Sequence, residues 1–252
     1  MDIALTAGQH SLVYNTFSLV FATMAGAGLF FWGVRNDVAP KYRVGVVVSA
    51  VVVFIAAYHY LRIWQSWGGA FVLDAGMYVP SDAPFNDAYR YADWLITVPL
   101  LLVELVAVLG LARAVSGPML RNLVIASVLM IGLGYPGEIS ADAGTRWIFW
   151  ALAMIPFVYI LWVLFGQLSA AIASESDRVK TLLARARTVL IASWWVYPVA
   201  FVLPMIGLSG ATAYVGVQLG YSVADLTAKA LYGVVIYQIA VAKTEAEGPA
   251  QA

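Results

Sequence analysis

YRYADWLITVPLLLVELVAVLGLA, residues 89–112, is a block of membrane-crossing length that is apolar nearly all round, interrupted by Arg90, Asp93 and Glu104. About 20 apolar residues suffice to span a bilayer as a helix, and the block lacks the alternation of a barrel strand. Arg90, Asp93, Thr97 and Glu104 fall at offsets of three, four and seven. The eleven residues from Asp93 to Glu104 turn through about 1,100°, so all four share one stripe, with a rise of roughly 16 Å between the two carboxylates. Six further blocks flank this one, at about 11–33, 43–67, 118–137, 146–170, 181–207 and 212–242. The pattern predicts an all-α membrane protein, a bundle of seven transmembrane helices forming one domain over residues 1–252.

Composition agrees. Of 252 residues, 62% are hydrophobic and 11% charged, with a mean hydropathy of +0.84, far from the roughly 45–50% and 25% of soluble domains. A cytosolic enzyme and a disordered scaffold are excluded, and 14 Lys and Arg matched by 14 Asp and Glu leave no basic face for nucleic acid. With no cysteine and two histidines, disulfides, thiolate chemistry and a metal site are not expected. The first block has no basic leader or small-residue cleavage site and reads as a retained helix.

Arg35, Lys41, Arg43, Arg113, Arg121, Arg178, Lys180, Arg185, Arg187 and Lys243 share one side, against Arg62, Arg90 and Arg146 on the other. The positive-inside rule then places the N-terminus outside and the C-terminus in the cytoplasm. Residues 1–10, with His10 exposed, form the expected external N-terminus, and residues 244–252 a solvated cytoplasmic tail. Between blocks two and three, VLDAGMYVPSDAP (residues 72–84) predicts a small β-hairpin around Ala-Gly.

Chemistry falls to the ionisable residues left inside the blocks: His59, Asp93, Glu104, Asp225 and Lys229. Each charge costs about 2.5–3.5 kcal/mol at a helix centre, which demands pairing, protonation or function. Asp225 and Lys229, four apart, share a helix face. Two carboxylates at different depths facing a buried amine either relay a proton or serve as structural glue, and periodicity does not choose. Trp94, Trp194, Tyr197 and Phe201 read equally well as core aromatics.

A resemblance does choose. RYADWLITVPLLLVE (Arg90 to Glu104), GYPGE (Gly134 to Glu138), WWVYP (Trp194 to Pro198) and YSVADLTAK (Tyr221 to Lys229) resemble the signature segments of microbial rhodopsins. YHYLRI (Tyr58 to Ile63) and NDAYRYADW (Asn86 to Trp94) are similar to the proteorhodopsin and xanthorhodopsin branch. The resemblance implies all-trans retinal on Lys229 as a protonated Schiff base. It implies Asp93 as primary counterion and proton acceptor, Asp225 as second counterion, His59 as partner of the acceptor, and Arg90 and Thr97 as its supports. Glu104 is implied as proton donor and Glu138 as an extracellular release-side group. Trp94, Leu101, Trp194, Tyr197, Pro198 and Phe201 are implied to wall the polyene, with Leu101 matching green-absorbing forms.

The function so implied is a light-driven outward proton pump of a prokaryotic cytoplasmic membrane, with lipids and protons as partners, a homo-oligomeric assembly, and no enzymatic turnover. The alternative is a sensory rhodopsin signalling to a partner protein, against which the carboxyl group of Glu104 argues. An acidic residue at 93 opposes a chloride pump, and the Asp93, Thr97, Glu104 triplet differs from the sodium-pump pattern. Xanthorhodopsins with a carotenoid antenna carry glycine where this chain aligns Trp150, so no antenna is expected.

Overall fold

A computed structural model of the chain describes residues 3–248, Ala171 by its backbone alone. Seven helices long and apolar enough to cross a membrane run through it: α1 Ala7–Val34, α2 Pro40–Ala70, α3 Ala88–Leu109, α4 Arg113–Glu138, α5 Ala143–Ala170, α6 Asp177–Ile206 and α7 Ala211–Glu247. Consecutive helices pack side by side, and α7 closes the bundle against α1, α2, α3 and α6. Helices α3 and α7 are buried over most of their length, whereas α4 and α5 turn most of their apolar side chains outward. Without water inside a bilayer, outward faces carry hydrocarbon and polar groups must turn inward.

The predicted hairpin is present as β2 (Phe71–Asp74) and β3 (Met77–Pro80), antiparallel with Val72 opposite Val79 and Leu73 opposite Tyr78. Its two-residue turn has φ of +44° at Ala75 and +85° at Gly76; positive φ at both centres gives the twist that suits a tight hairpin. A third strand, β1 (Leu5–Thr6), pairs with β3, Leu5 opposite Tyr78.

That strand corrects two expectations about the N-terminus. Helix α1 starts at Ala7, because Thr6 and Gln9 form a reciprocal capping box, Gln9 N to Thr6 Oγ1 at 3.1 Å and Thr6 N to Gln9 Oε1 at 2.9 Å. His10 is therefore helical, and it is buried, stacked on Tyr78 at 3.8 Å and on Trp67 at 5.8 Å. The strand pairing lays Tyr78 over it, a long-range event invisible in local sequence.

The opposite terminus departs in the same direction. Helix α7 continues through Thr244 to Glu247, where a solvated tail was expected, and residues 249–252 lie outside the described set. Lys243 Nζ bonds Glu175 Oε1 at 2.5 Å and Leu109 O at 2.8 Å, Arg178 meets Glu245 at 2.5 Å, and Glu247 meets Lys41 at 2.7 Å and the Tyr42 hydroxyl. Glu245 and Glu247 thus pair with cations in the first turns of α6 and α2. At the end of the bundle that carries the hairpin, Asp142 caps α5 by accepting from Thr145 N at 2.7 Å and Thr145 Oγ1 at 2.8 Å, which holds its carboxyl below the usual aspartate range.

Close helix approach depends on Gly233: a Cβ there would sit 2.7 Å from the buried Phe31 ring and 3.3 Å from Ser49 Cβ. With the ring enclosed, overpacking should cost about 1–3 kcal/mol. We expect Gly233→Ala to lower the thermal unfolding midpoint in bilayers. An equivalent change at Gly132, where a Cβ has open space, should leave it nearly unaltered.

Candidate functional site

Lys229 lies in a π-helical turn, Leu226–Leu231, within α7. Turns of this kind are often found at functional positions in helices. Its Nζ donates to Asp93 Oδ2 of α3 and to Asp225 Oδ1, one turn earlier on α7, both at 2.6 Å. All three side chains are buried. Arg90, also buried, donates from Nη2 to Gln218 Oε1 at 2.6 Å and from Nη1 to the Tyr60 hydroxyl at 3.4 Å. Two cations and two carboxylates thus sum to neutrality, the condition under which buried charge is tolerated.

The two carboxylates are held differently. Asp225 accepts from Tyr60 OH at 2.7 Å, Tyr197 OH at 2.7 Å and Trp94 Nε1 at 3.2 Å, in addition to Lys229. Asp93 has less. Thr97 Oγ1 bonds its backbone carbonyl at 2.9 Å and reaches Oδ2 only at 3.4 Å. His59 Nδ1 donates to Ile55 O at 3.0 Å and stands 3.6 Å from Asp93 Oδ1, an oxygen without a hydrogen-bond partner among the described residues.

Glu104 stands apart and is fully buried. Ser49 Oγ donates to its Oε2 at 2.5 Å, and its Oε1 is unpartnered among the described residues. Glu138, at the end of α4, faces the Tyr91 hydroxyl at 3.5 Å and does not join the Lys229 cluster.

A cavity opens beside Lys229 and Asp225 and runs between α3, α4, α5 and α6. It holds about 800 Å³ of empty space, counted out to its open side. Trp94, Leu101, Trp194, Tyr197, Pro198 and Phe201, the six residues expected as cofactor walls, all line it. Met130, Ile131, Gly134, Met154 and Phe157 complete the far wall, together with Trp150, whose Nε1 donates to Pro198 O at 3.1 Å. The lining is apolar except at the Lys229 end, which suits a long apolar ligand joined covalently to the amine.

Sequence reasoning missed Ser49, Tyr60 and Gln218. Signals existed: Ser49 is the one Ser or Thr between residues 40 and 65, and Gln218 precedes Asp225 by seven, the same helix face.

A bacteriorhodopsin-like family model matches residues 12–243. The chain belongs to this family. It is 31% identical over 227 residues to a green-light absorbing proteorhodopsin of Gamma-proteobacterium EBAC31A08, covering 90% of this chain and 85% of that protein. It is 36% identical over 240 residues to a bacteriorhodopsin of Haloterrigena sp. (strain arg-4), covering 94% and 90%. Among solved structures it is similar to xanthorhodopsin, described as a light-driven ion pump with dual chromophore, at 52% identity and a TM-score of 0.94 over 98% of this chain and 99% of that one. Thermophilic rhodopsin superposes with a TM-score of 0.95 at 49% identity, covering 98% and 100%.

Ser49 supplies the hydrogen bond that Glu104 has in its apolar surroundings. Ser49→Ala should therefore destabilise the bundle by about 1–3 kcal/mol, read as a lower unfolding midpoint. Ser127→Ala, which removes a hydroxyl bonded only to its own helix at Val124 O, should cost less.

Proposed function

We propose that this chain is a light-driven outward proton pump that carries all-trans retinal on Lys229. The observation that carries the reading is Lys229 Nζ, held 2.6 Å from each of two carboxylates at the polar end of an aromatic-walled cavity. Retinal, bound there as a protonated Schiff base, supplies photoisomerisation, the step that converts absorbed light into a displaced proton donor at Nζ.

The chain's own groups then set direction. A proton leaving Nζ goes to Asp93 Oδ2, because Asp225 has its negative charge stabilised by Tyr60, Tyr197 and Trp94 while Asp93 does not. The transfer cancels one cation and one anion, leaving Asp225 balanced by Arg90. Thr97 and His59 stand beside the acceptor carboxyl, at 3.4 and 3.6 Å. Glu104, in a dry inner half where an uncharged carboxyl is the accommodated form, returns a proton to Nζ and refills from the cytoplasm. Glu138, which the resemblance places on the release side, faces the Tyr91 hydroxyl at 3.5 Å. This direction follows from a cytoplasmic C-terminus, the orientation that the distribution of cations supports.

Illumination of cells carrying the retinal-loaded protein should acidify the medium, and an uncoupler should abolish the signal. Lys229→Ala should be folded and colourless. Asp93→Asn should absorb further to the red and stop pumping, whereas Glu104→Gln should keep its colour and slow reprotonation. A silent suspension with a slow photocycle would favour the sensory reading instead.

We also propose retinal as the sole chromophore. The Trp150 indole is part of the cavity wall, pinned to Pro198 O across the α5–α6 gap and packed edge-on against Trp147 at 5.7 Å. Mixed with hydroxylated and keto carotenoids, the unsubstituted protein should show no energy transfer in excitation spectra, and Trp150→Gly should admit it. Transfer in the unsubstituted protein would refute the blocked window.

A further inference from the structure

Asp87 stands immediately before α3, where an aspartate ordinarily caps the first N–H groups. Here its side chain makes no such bond, and Asn86 Oδ1 takes the N–H of Ala88 at 3.1 Å. The carboxyl group instead straddles the protein boundary. Oδ1 is buried and unpartnered among the described residues, 3.7 Å from Arg90 Nε, which is likewise buried and unpartnered. Yet 35% of the Asp87 side chain is exposed, and with Oδ1 enclosed that exposure falls on the rest of the group.

Inward of Asp87 the polar contacts are continuous. Arg90 reaches the Tyr60 hydroxyl, and Tyr60 donates to Asp225, one of the two anions beside Lys229. The other wall offers no rival, since residues 203–218, joining α6 to α7, contain neither Asp nor Glu. Asp142 is committed to capping α5, and Glu138 lies behind Tyr91.

We propose that Asp87 is the carboxylate through which the transported proton leaves the protein, an inference that rests on the outward-pump reading. A protonated water on the inner side gives its proton to Oδ1, one O–H bond breaking as another forms. The resulting acid gives a proton to external water, and the carboxylate is restored. Arg90 keeps its charge throughout and stabilises the anion at each end of the step. Burial raises the carboxyl above the usual aspartate range, against the lowering effect of Arg90 and Gln218. Tyr214 and Tyr221 of α7 and Glu138 of α4 also lie within its electrostatic reach.

The test uses the full retinal-loaded chain in vesicles, with a pH-sensitive dye on the external side and flash excitation. In Asp87→Asn the proton should appear outside at least about ten-fold later, while the colour change that follows Asp93 protonation keeps its rise time. Asp87→Glu should restore early release. In the unsubstituted protein early release should disappear as pH falls through the Asp87 pKa, because a carboxyl already protonated accepts nothing; that titration needs no variant to fold. Unchanged timing in Asp87→Asn, release independent of pH, or a delay produced by Glu138→Gln and not by Asp87→Asn would each overturn the inference alone. Absence of any external acidification by the unsubstituted protein would overturn the pump reading with it.

Discussion

Four charges buried at the centre of an apolar bundle set the terms for everything around them. Lys229 and Arg90 balance Asp93 and Asp225, but neutrality alone does not repay the loss of water; each ion also needs hydrogen bonds. The surrounding side chains supply them unevenly. Tyr60, Tyr197 and Trp94 converge on Asp225, and Gln218 accepts one hydrogen bond from Arg90. Asp93 keeps an oxygen unpartnered among the described residues. Such an arrangement is a poor way merely to glue helices, since an apolar core would hold as well. It does leave one of the two anions with fewer hydrogen bonds than the other.

Polarity is also uneven along the bundle axis. On the hairpin side of Lys229 lie Arg90, Gln218, Tyr60 and Asp87, with hydroxyls and amides close enough to pass hydrogen bonds. On the opposite side the residues are mostly apolar, with Glu104 bonded to Ser49 and the Tyr232 hydroxyl bonded to Leu101 O at 3.3 Å. The Lys229 centre therefore faces a run of hydrogen-bonding groups on one side and mostly apolar side chains on the other. The asymmetry comes from side chains on three helices, α2, α3 and α7, which are also the most buried of the seven.

The bundle was legible in the sequence because lipid imposes a length and a polarity on every crossing segment, and all seven blocks are helices in the structure. The polar stripe Arg90, Asp93, Thr97 and Glu104 was equally legible, since 3.6-residue periodicity places it without tertiary knowledge, and all four are buried. What local pattern could not supply was partnership between distant segments. His10 is buried by a strand some seventy residues away, and Glu247 is held by Lys41 and Tyr42. Ser49 gains Glu104 as its partner only where α2 and α3 lie side by side. Roles for these residues came from resemblance; the structure adds distances, and with them the reason why Asp93 and Asp225 are not equivalent.

Tight packing around Glu104 carries the argument one step further. A Cβ at Gly45 would lie 3.3 Å from Glu104 O and 3.4 Å from Val108 Cβ, and one at Gly233 would press on Phe31 and Ser49. Small residues on α2 and α7 thus draw both helices against α3 at the level of the buried carboxyl. Interiors packed this closely leave little room for a water chain, and Glu104 is fully enclosed. On the pump reading proposed above, the same packing would keep a proton from leaking back past the carboxyl. Refilling Glu104 would, on that same reading, require the helices to part, and Lys243, which joins α7 to Leu109 O of α3 and to Glu175, is a contact at that end of the bundle that would have to yield. The packing that encloses the carboxyl and the buried lysine at the bundle's edge would then together form both barrier and gate.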